Sequence, residues 1–186
     1  QGFLMNRQKD TNALNFTGAE YALISDDVLA RFVEGDTFTV SFWMQNPNTT
    51  DTTLRTMFSI GDDSDAAKRF RIEHDTNTDR LYFVAEGGAD DDINWAVTSQ
   101  DLNDGDWHHI VLVNSAAASR ELFVDGASIG TNTTNGTQAT SVFNTIAIGI
   151  SYQATSIVNW YYGSIDDVAL YSDALTDAEV KRNYNA

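Results

Sequence analysis

Carboxylates are the chain's most abundant reactive groups, and they are clustered. Gly61-Asp62-Asp63-Ser64-Asp65 is an acidic turn, Gly87 to Asp92 ends on three consecutive Asp, and Asp166-Asp167 is an adjacent pair. A hard cation such as calcium takes about six to eight oxygen ligands, so Asp side chains from two loops, with backbone carbonyls, are a chemically sufficient set. The same residues also suit polar turns, where Asp bonds its own backbone. Histidine is the second group: His108-His109 follows Trp107, and His74 stands between Glu73 and Asp75. Neighbours on a strand point to opposite faces, so His108 and His109 cannot share a metal as a helical i, i+4 pair would. They read as structural. The third group is aromatic. Trp95, Tyr152, Trp160 and Tyr161 lie in or beside expected loops, with Gln153 and Asn159 nearby. Rings of this kind offer an apolar platform to the C–H face of a pyranose, and the amides can meet its hydroxyls. These six residues are the candidate ligand contacts.

The elements that must position these groups are strands. Phe38 to Gln45 alternates Phe38, Val40, Phe42 and Met44 with Thr39, Ser41, Trp43 and Gln45, the period of a strand with one face in a core. Asp106 to Gly126 contains an apolar run, a polar break at Asn114 to Ser119, a second run Leu122 to Val124 and the turn dipeptide Asp125-Gly126, which reads as a central hairpin. Phe70, Ile72 and His74 oppose Arg71 and Glu73, the chain reverses through Asp75 to Asp79, and Leu81, Phe83 and Ala85 return. Further strands are expected at Ala13 to Phe16, Tyr21 to Ile24, Met57 to Ile60, Ile93 to Val97, Thr145 to Ser151 and Ser164 to Tyr171, and a helical turn within Asp26 to Gly35. Gly130 to Ser141 and Tyr152 to Tyr162 are expected loops. Thr176 with Glu179 forms a capping box, so a short helix is expected at the C-terminal end, with Leu175 and Val180 as its hydrophobic staple. Residues 1–12 read as a tail or linker, and 13–186 as a single domain.

Charge and composition narrow the partners. Against 11 Lys and Arg stand 27 Asp and Glu, a formal net charge of -16 in 186 residues, which repels phosphate backbones and anionic lipid and argues against nucleic acid. No apolar run reaches the roughly 20 residues of a membrane span, so membrane insertion is not expected. The absence of cysteine excludes disulfides and thiolate zinc sites.

Six segments occur in an order that resembles the laminin-G-like, concanavalin-A-like superfamily. They are Ala13-Leu-Asn-Phe-Thr-Gly18, Phe38-Thr-Val-Ser-Phe-Trp43, Asp106-Trp-His-His-Ile-Val111, Leu122-Phe-Val-Asp-Gly126, Gly163-Ser-Ile-Asp-Asp-Val168 and Tyr171-Ser-Asp-Ala-Leu175. The resemblance implies an all-β jelly-roll sandwich of two antiparallel sheets, in agreement with the alternation above. It also implies calcium at one rim, with Asp62 at the matching position, Asp63 and Asp65 in the same loop, and Asp90, Asp91 and Asp92 reaching that rim from another. Asp166 clamps the terminal strands, through calcium or through backbone amides. Glycosidases of this superfamily carry acids spaced by two along one strand. Here Glu73 and Asp75 have that spacing, but Asp75 begins a turn and no third acid follows, while Asp166 and Asp167 point to opposite faces. The expectation is a non-catalytic recognition module for a glycan or cell-surface polysaccharide, assisted by calcium, acting in carbohydrate binding or adhesion. Its setting is expected to be a longer secreted or cell-surface bacterial protein in which it is a monomeric unit. The alternatives are a structural or protein-binding domain of an adhesin and a glycan-active enzyme, either a hydrolase or a lyase.

Overall fold

A computed structural model of the protein describes residues 12–25, 37–47, 53–62, 65–86, 93–98, 101–116, 118–134, 144–153 and 156–186. Two six-stranded antiparallel sheets face each other. Sheet A has the order β1 (Leu14–Thr17), β14 (Tyr162–Tyr171), β3 (Phe38–Gln45), β8 (Trp107–Ala116), β9 (Ser119–Val124), β10 (Ala127–Asn132). Sheet B has the order β2 (Ala22–Ser25), β11 (Thr145–Ile148), β4 (Leu54–Asp62), β5 (Asp65–Asp75), β6 (Arg80–Glu86), β7 (Ile93–Thr98). A separate hairpin joins β12 (Ser151–Gln153) to β13 (Ser156–Val158). The jelly-roll sandwich implied by the sequence is the fold observed.

The inward faces come from the alternation. Val40, Phe42 and Met44 of β3, with Ile110 and Leu112 of β8, meet Phe58 and Ile60 of β4, Phe70 and Ile72 of β5, and Leu81 and Phe83 of β6. Phe38 and Phe70 stack across the gap with centroids 5.0 Å apart. Each such fully buried side chain contributes roughly 1.5–3 kcal/mol of transfer free energy, so this layer is the main source of stability.

The outward face of β3 is buried as well, beyond what a one-sided strand predicts: Thr39, Ser41 and Trp43 are as hidden as their inward neighbours. The cover is the helix α1 (Asp177–Asn185). The Thr176 side chain accepts the Glu179 N–H, and the Glu179 carboxylate accepts the Thr176 N–H at 2.9 Å, completing the capping box. Val180 packs with Val111, Val113 and Phe123, flanked by Leu175 and Ala174. Tyr184 stacks on Trp43 at 5.7 Å. No helix among the described residues is long and apolar enough to cross a membrane.

Two expectations need adjustment. The strands on either side of Gly18 belong to different sheets, β1 pairing with β14 and β2 with β11, so this turn carries the chain across the sandwich. The strand expected from Thr145 to Ser151 breaks at Gly149, whose φ of 84° suits glycine and where a Cβ would run into the Phe16 ring. The break sends the chain out over sheet B. The helical turn expected within Asp26 to Gly35 lies outside the described residues, as do Gln1 to Thr11 and the second half of Gly130 to Ser141.

Candidate functional site

Strand β5 shows apolar Phe70 and Ile72 to the core, with buried His74 on the same face, so Arg71, Glu73 and Asp75 point away from it. Register places Tyr82 of β6 opposite Glu73, and Val84 opposite Arg71. With Leu54 at the start of β4 and Asn77 in the following turn, these side chains line a groove of about 410 Å³ on the outer face of sheet B. Its wall is mixed: an aromatic ring and two aliphatic side chains beside a guanidinium, two carboxylates and an amide. That is the composition that accepts a polar ligand with an apolar face.

Glu73 is the centre of the polar part. Only 1% of it is exposed, and its Oε1 accepts from Thr56 Oγ1 at 2.7 Å and Asn159 Nδ2 at 2.9 Å, with Arg71 Nε at 3.0 Å. Its Oε2 is equally hidden and has no partner among the described residues. A buried carboxylate oxygen without a donor is costly, so a donor brought by a ligand would be strongly favoured there. Asp75 differs. Burial raises its pKa, but bonds from the Thr78 hydroxyl and from the Asn77 and Thr78 amides outweigh this and hold it below the usual carboxylate range.

The turn carrying Asn77 is fixed from several sides. Asp79, at φ 51°, accepts from the Leu102 amide at 3.2 Å and bonds His74 Nε2 at 2.8 Å, and Asn103 donates to the Thr76 carbonyl at 3.3 Å. His74 is fully buried, and burial pushes its pKa down against the opposing pull of Asp79. On the opposite flank, β12 lies across β4 and β5. The Ser59 hydroxyl donates to the Ile150 carbonyl at 2.9 Å, and the Thr56 amide to the Asn159 carbonyl at 2.8 Å. Asn159 sits at φ 56°, which Asn tolerates better than most residues.

The expected ligand residues separate into groups. Asn159 reaches the groove network, and Tyr152 belongs to the hairpin beside it, where its amide approaches Ser59 Oγ at 3.4 Å. Trp160 has its ring 5.7 Å from that of Tyr21, and its neighbour Tyr162 lies beneath the Arg55 guanidinium at 5.3 Å. Tyr161 corrects its assignment: it is fully buried, donates to the Gln45 carbonyl at 3.1 Å and packs edge-on against Phe16, because the break at Gly149 turns it into the core. Trp95 is corrected too, since it is paired with Phe83 and packs against the core cluster on the inward side of β7. The Gln153 side chain lies outside the described residues. Arg71, Asp75, Asn77 and Tyr82 are not among the ligand contacts expected from the sequence. Their signal was the polar face of an alternating hairpin, which looks the same whether it meets solvent or a ligand.

Among the described residues no group of three or more His, Asp or Glu stands close enough to hold a metal ion. Asp62 and Asp65 are register partners at the β4–β5 turn, and Asp63, Asp90 and Asp91 lie outside the described residues. Asp166 is on the other sheet, opposite Trp43, where its Oδ1 accepts the Asp167 amide at 2.8 Å. Of the expected calcium ligands only the Asp166 side chain is among those described, and the others lie outside them. The histidines are structural: His109 bonds Ser41 Oγ at 2.8 Å under α1, and His108 bridges Asp104 and Asp125.

Residues 16–181 match the family described as the concanavalin A-like lectin/glucanases superfamily. No curated protein matches by sequence. Among solved structures, the CBM40 domain of the Ruminococcus gnavus IT-sialidase bound to α2,3-sialyllactose superposes with a TM-score of 0.74 at 13% identity, covering 92% of this chain and 96% of that one. A mutant NanB sialidase from Streptococcus pneumoniae gives 0.72 at 14% identity, covering 91% of this chain and 27% of that one. The leech intramolecular trans-sialidase complexed with 2,7-anhydro-Neu5Ac gives 0.71 at 17%, over 91% and 27%. At these identities the likeness is one of fold.

Proposed function

The chain belongs to the concanavalin A-like lectin/glucanases superfamily, and from that premise we propose that it is a non-catalytic carbohydrate-binding module whose ligand lies in the groove of sheet B. The observation that carries this reading is the groove itself: Tyr82, Leu54 and Val84 beside Arg71, Glu73, Asp75 and Asn77, on a face that α1 leaves open. A pyranose lays its C–H face on Tyr82 and turns its hydroxyls toward the carboxylates and the amide. The likeness to a CBM40 domain over nearly its whole length is consistent with a module of this size. As such a module it serves a larger extracellular protein.

Catalysis is the competing reading, since Glu73 and Asp75 share a face. Glycoside cleavage needs one carboxyl group kept protonated as the acid. Asp75 is held ionised by three donated hydrogen bonds, which removes it as that acid. This favours recognition over turnover. A glycan array with wild-type protein should show binding, and Tyr82→Ala should weaken it by about tenfold, the worth of one good ring contact. The Tm of the variant should stay close to wild type. An array without any bound oligosaccharide, or a Tyr82→Ala protein that binds as before, sinks the reading.

A further inference from the structure

We propose that the groove selects neutral over carboxylate-bearing glycans. This rests on the reading of the groove as a glycan site and concerns which sugars it admits.

The argument is one of charge balance at close range. Among the described residues the groove lining carries one guanidinium, Arg71, against two carboxylates, Glu73 and Asp75. Arg71 is the residue a sugar carboxylate would seek, but its Nε already stands 3.0 Å from Glu73 Oε1. Engaging Arg71 fully would bring a third carboxylate beside Glu73 and Asp75, and like charges so placed repel strongly where water is sparse. The other arginines of β4, β5 and β6 are not part of the groove lining. Arg80 is the register partner of Asp75, Arg69 that of Glu86, and Arg55 donates to the Tyr162 carbonyl at 3.1 Å. The whole chain adds a formal charge of -16 at long range.

Neutral sugars meet the opposite situation. A hydroxyl hydrogen can donate to Glu73 Oε2, which has no donor among the described residues, and another to Asp75, while the Asn77 amide can donate to or accept from a third. Two buried or half-buried acceptors and an apolar ring describe a ligand rich in hydroxyl donors and free of anionic groups. The R. gnavus domain is bound to α2,3-sialyllactose, so the proposal separates this chain in specificity from a protein with which it shares a fold.

The test is titration calorimetry of the wild-type chain with neutral oligosaccharides taken from the array, with lactose, and with α2,3-sialyllactose, in low and in high salt. The neutral ligand should bind at least about tenfold more tightly than sialyllactose, with the gap narrowing as salt screens the repulsion. Asp75→Asn, which removes one negative charge, should narrow it further. Sialyllactose binding as tightly as the best neutral glycan, and losing affinity in Tyr82→Ala, overturns the proposal and leaves the groove as the binding site. Absence of binding by every neutral and sialylated glycan overturns the site itself, and the proposal with it.

Discussion

Sheets A and B each turn one face to the shared core and one away, and the second faces are finished differently. On sheet A, Trp43, Val111, Val113 and Phe123 are roofed by Leu175 and by Val180 and Tyr184 of α1, and beneath them Ser41 and His109 are joined at 2.8 Å. On sheet B the corresponding positions hold Arg71, Glu73, Asp75 and Tyr82, and the β12–β13 hairpin covers β4 and part of β5 while leaving the groove open. A sheet face of apolar residues needs a cover, and a polar one can wait for a ligand. The same architecture therefore makes one face a second small core and the other a binding surface.

The largest effect should come where the open face depends on a buried charge. Glu73→Ala removes the acceptor for Thr56, Asn159 and Arg71 and leaves a half-buried guanidinium without its carboxylate. We expect a loss of about 3 kcal/mol in chemical denaturation together with loss of glycan binding. A Glu73→Ala protein of wild-type stability would mean that the network does not hold the hairpin in place. The covered face should respond differently. Val180→Ala empties a fully buried position beneath α1 and should cost about 2 kcal/mol, a Tm lower by roughly 4–8 °C, with affinity in the groove unchanged. Affinity falling in step with stability would erase the distinction between the two faces.

How far these faces could be seen in the sequence depends on what each residue does there. The inward alternation of Phe38 to Met44 and of Phe70 to His74 is a local signal, and so is the Thr176–Glu179 cap. Both were legible because periodicity and capping act over a few residues. What covers Trp43 and Thr39 is not legible nearby, because it lies more than 130 residues away, as the Thr39 hydroxyl shows by donating to the Asp173 carbonyl. Tyr161 looked like a platform because nothing near it in the chain reveals that Gly149 turns it inward onto Phe16. The groove was the least legible part. Arg71, Glu73 and Asp75 have the spacing of any solvated strand face, and only pairing with β6 puts Tyr82 beside them. Asn159 is an expected sugar contact through its neighbours in sequence, whereas its observed role toward Glu73 arises from a fold-back that no local pattern encodes.

The smallest effect concerns pH. His108 bonds Asp125 Oδ2 through Nδ1 at 2.9 Å and Asp104 Oδ1 through Nε2 at 3.1 Å, while the other oxygen of Asp125 accepts the His109 amide at 2.8 Å. Burial alone would lower the imidazole pKa, but the two carboxylates outweigh it and raise it to about 9. An unfolded chain holds histidine near its ordinary value of about 6.5, so the folded state binds the proton more tightly. The contribution is then fully present below about pH 6.5 and is lost as pH rises through about 9. The Tm should fall between these limits by an amount equivalent to about 1 kcal/mol, allowing for solvent screening at the partly open carboxylates. His108→Gln cannot bind that proton, so its Tm should be lower at pH 6 and nearly flat over the same interval. Tyr82→Ala should keep the wild-type slope, because the ring and the imidazole share no partner and distant changes add. A flat wild-type profile would show that the clamp of Asp104, His108 and Asp125 is not charged. A slope lost in Tyr82→Ala would show that the open face and the β8 clamp are coupled, through the Asp101 to Asp106 loop that bonds both Asp79 and His108.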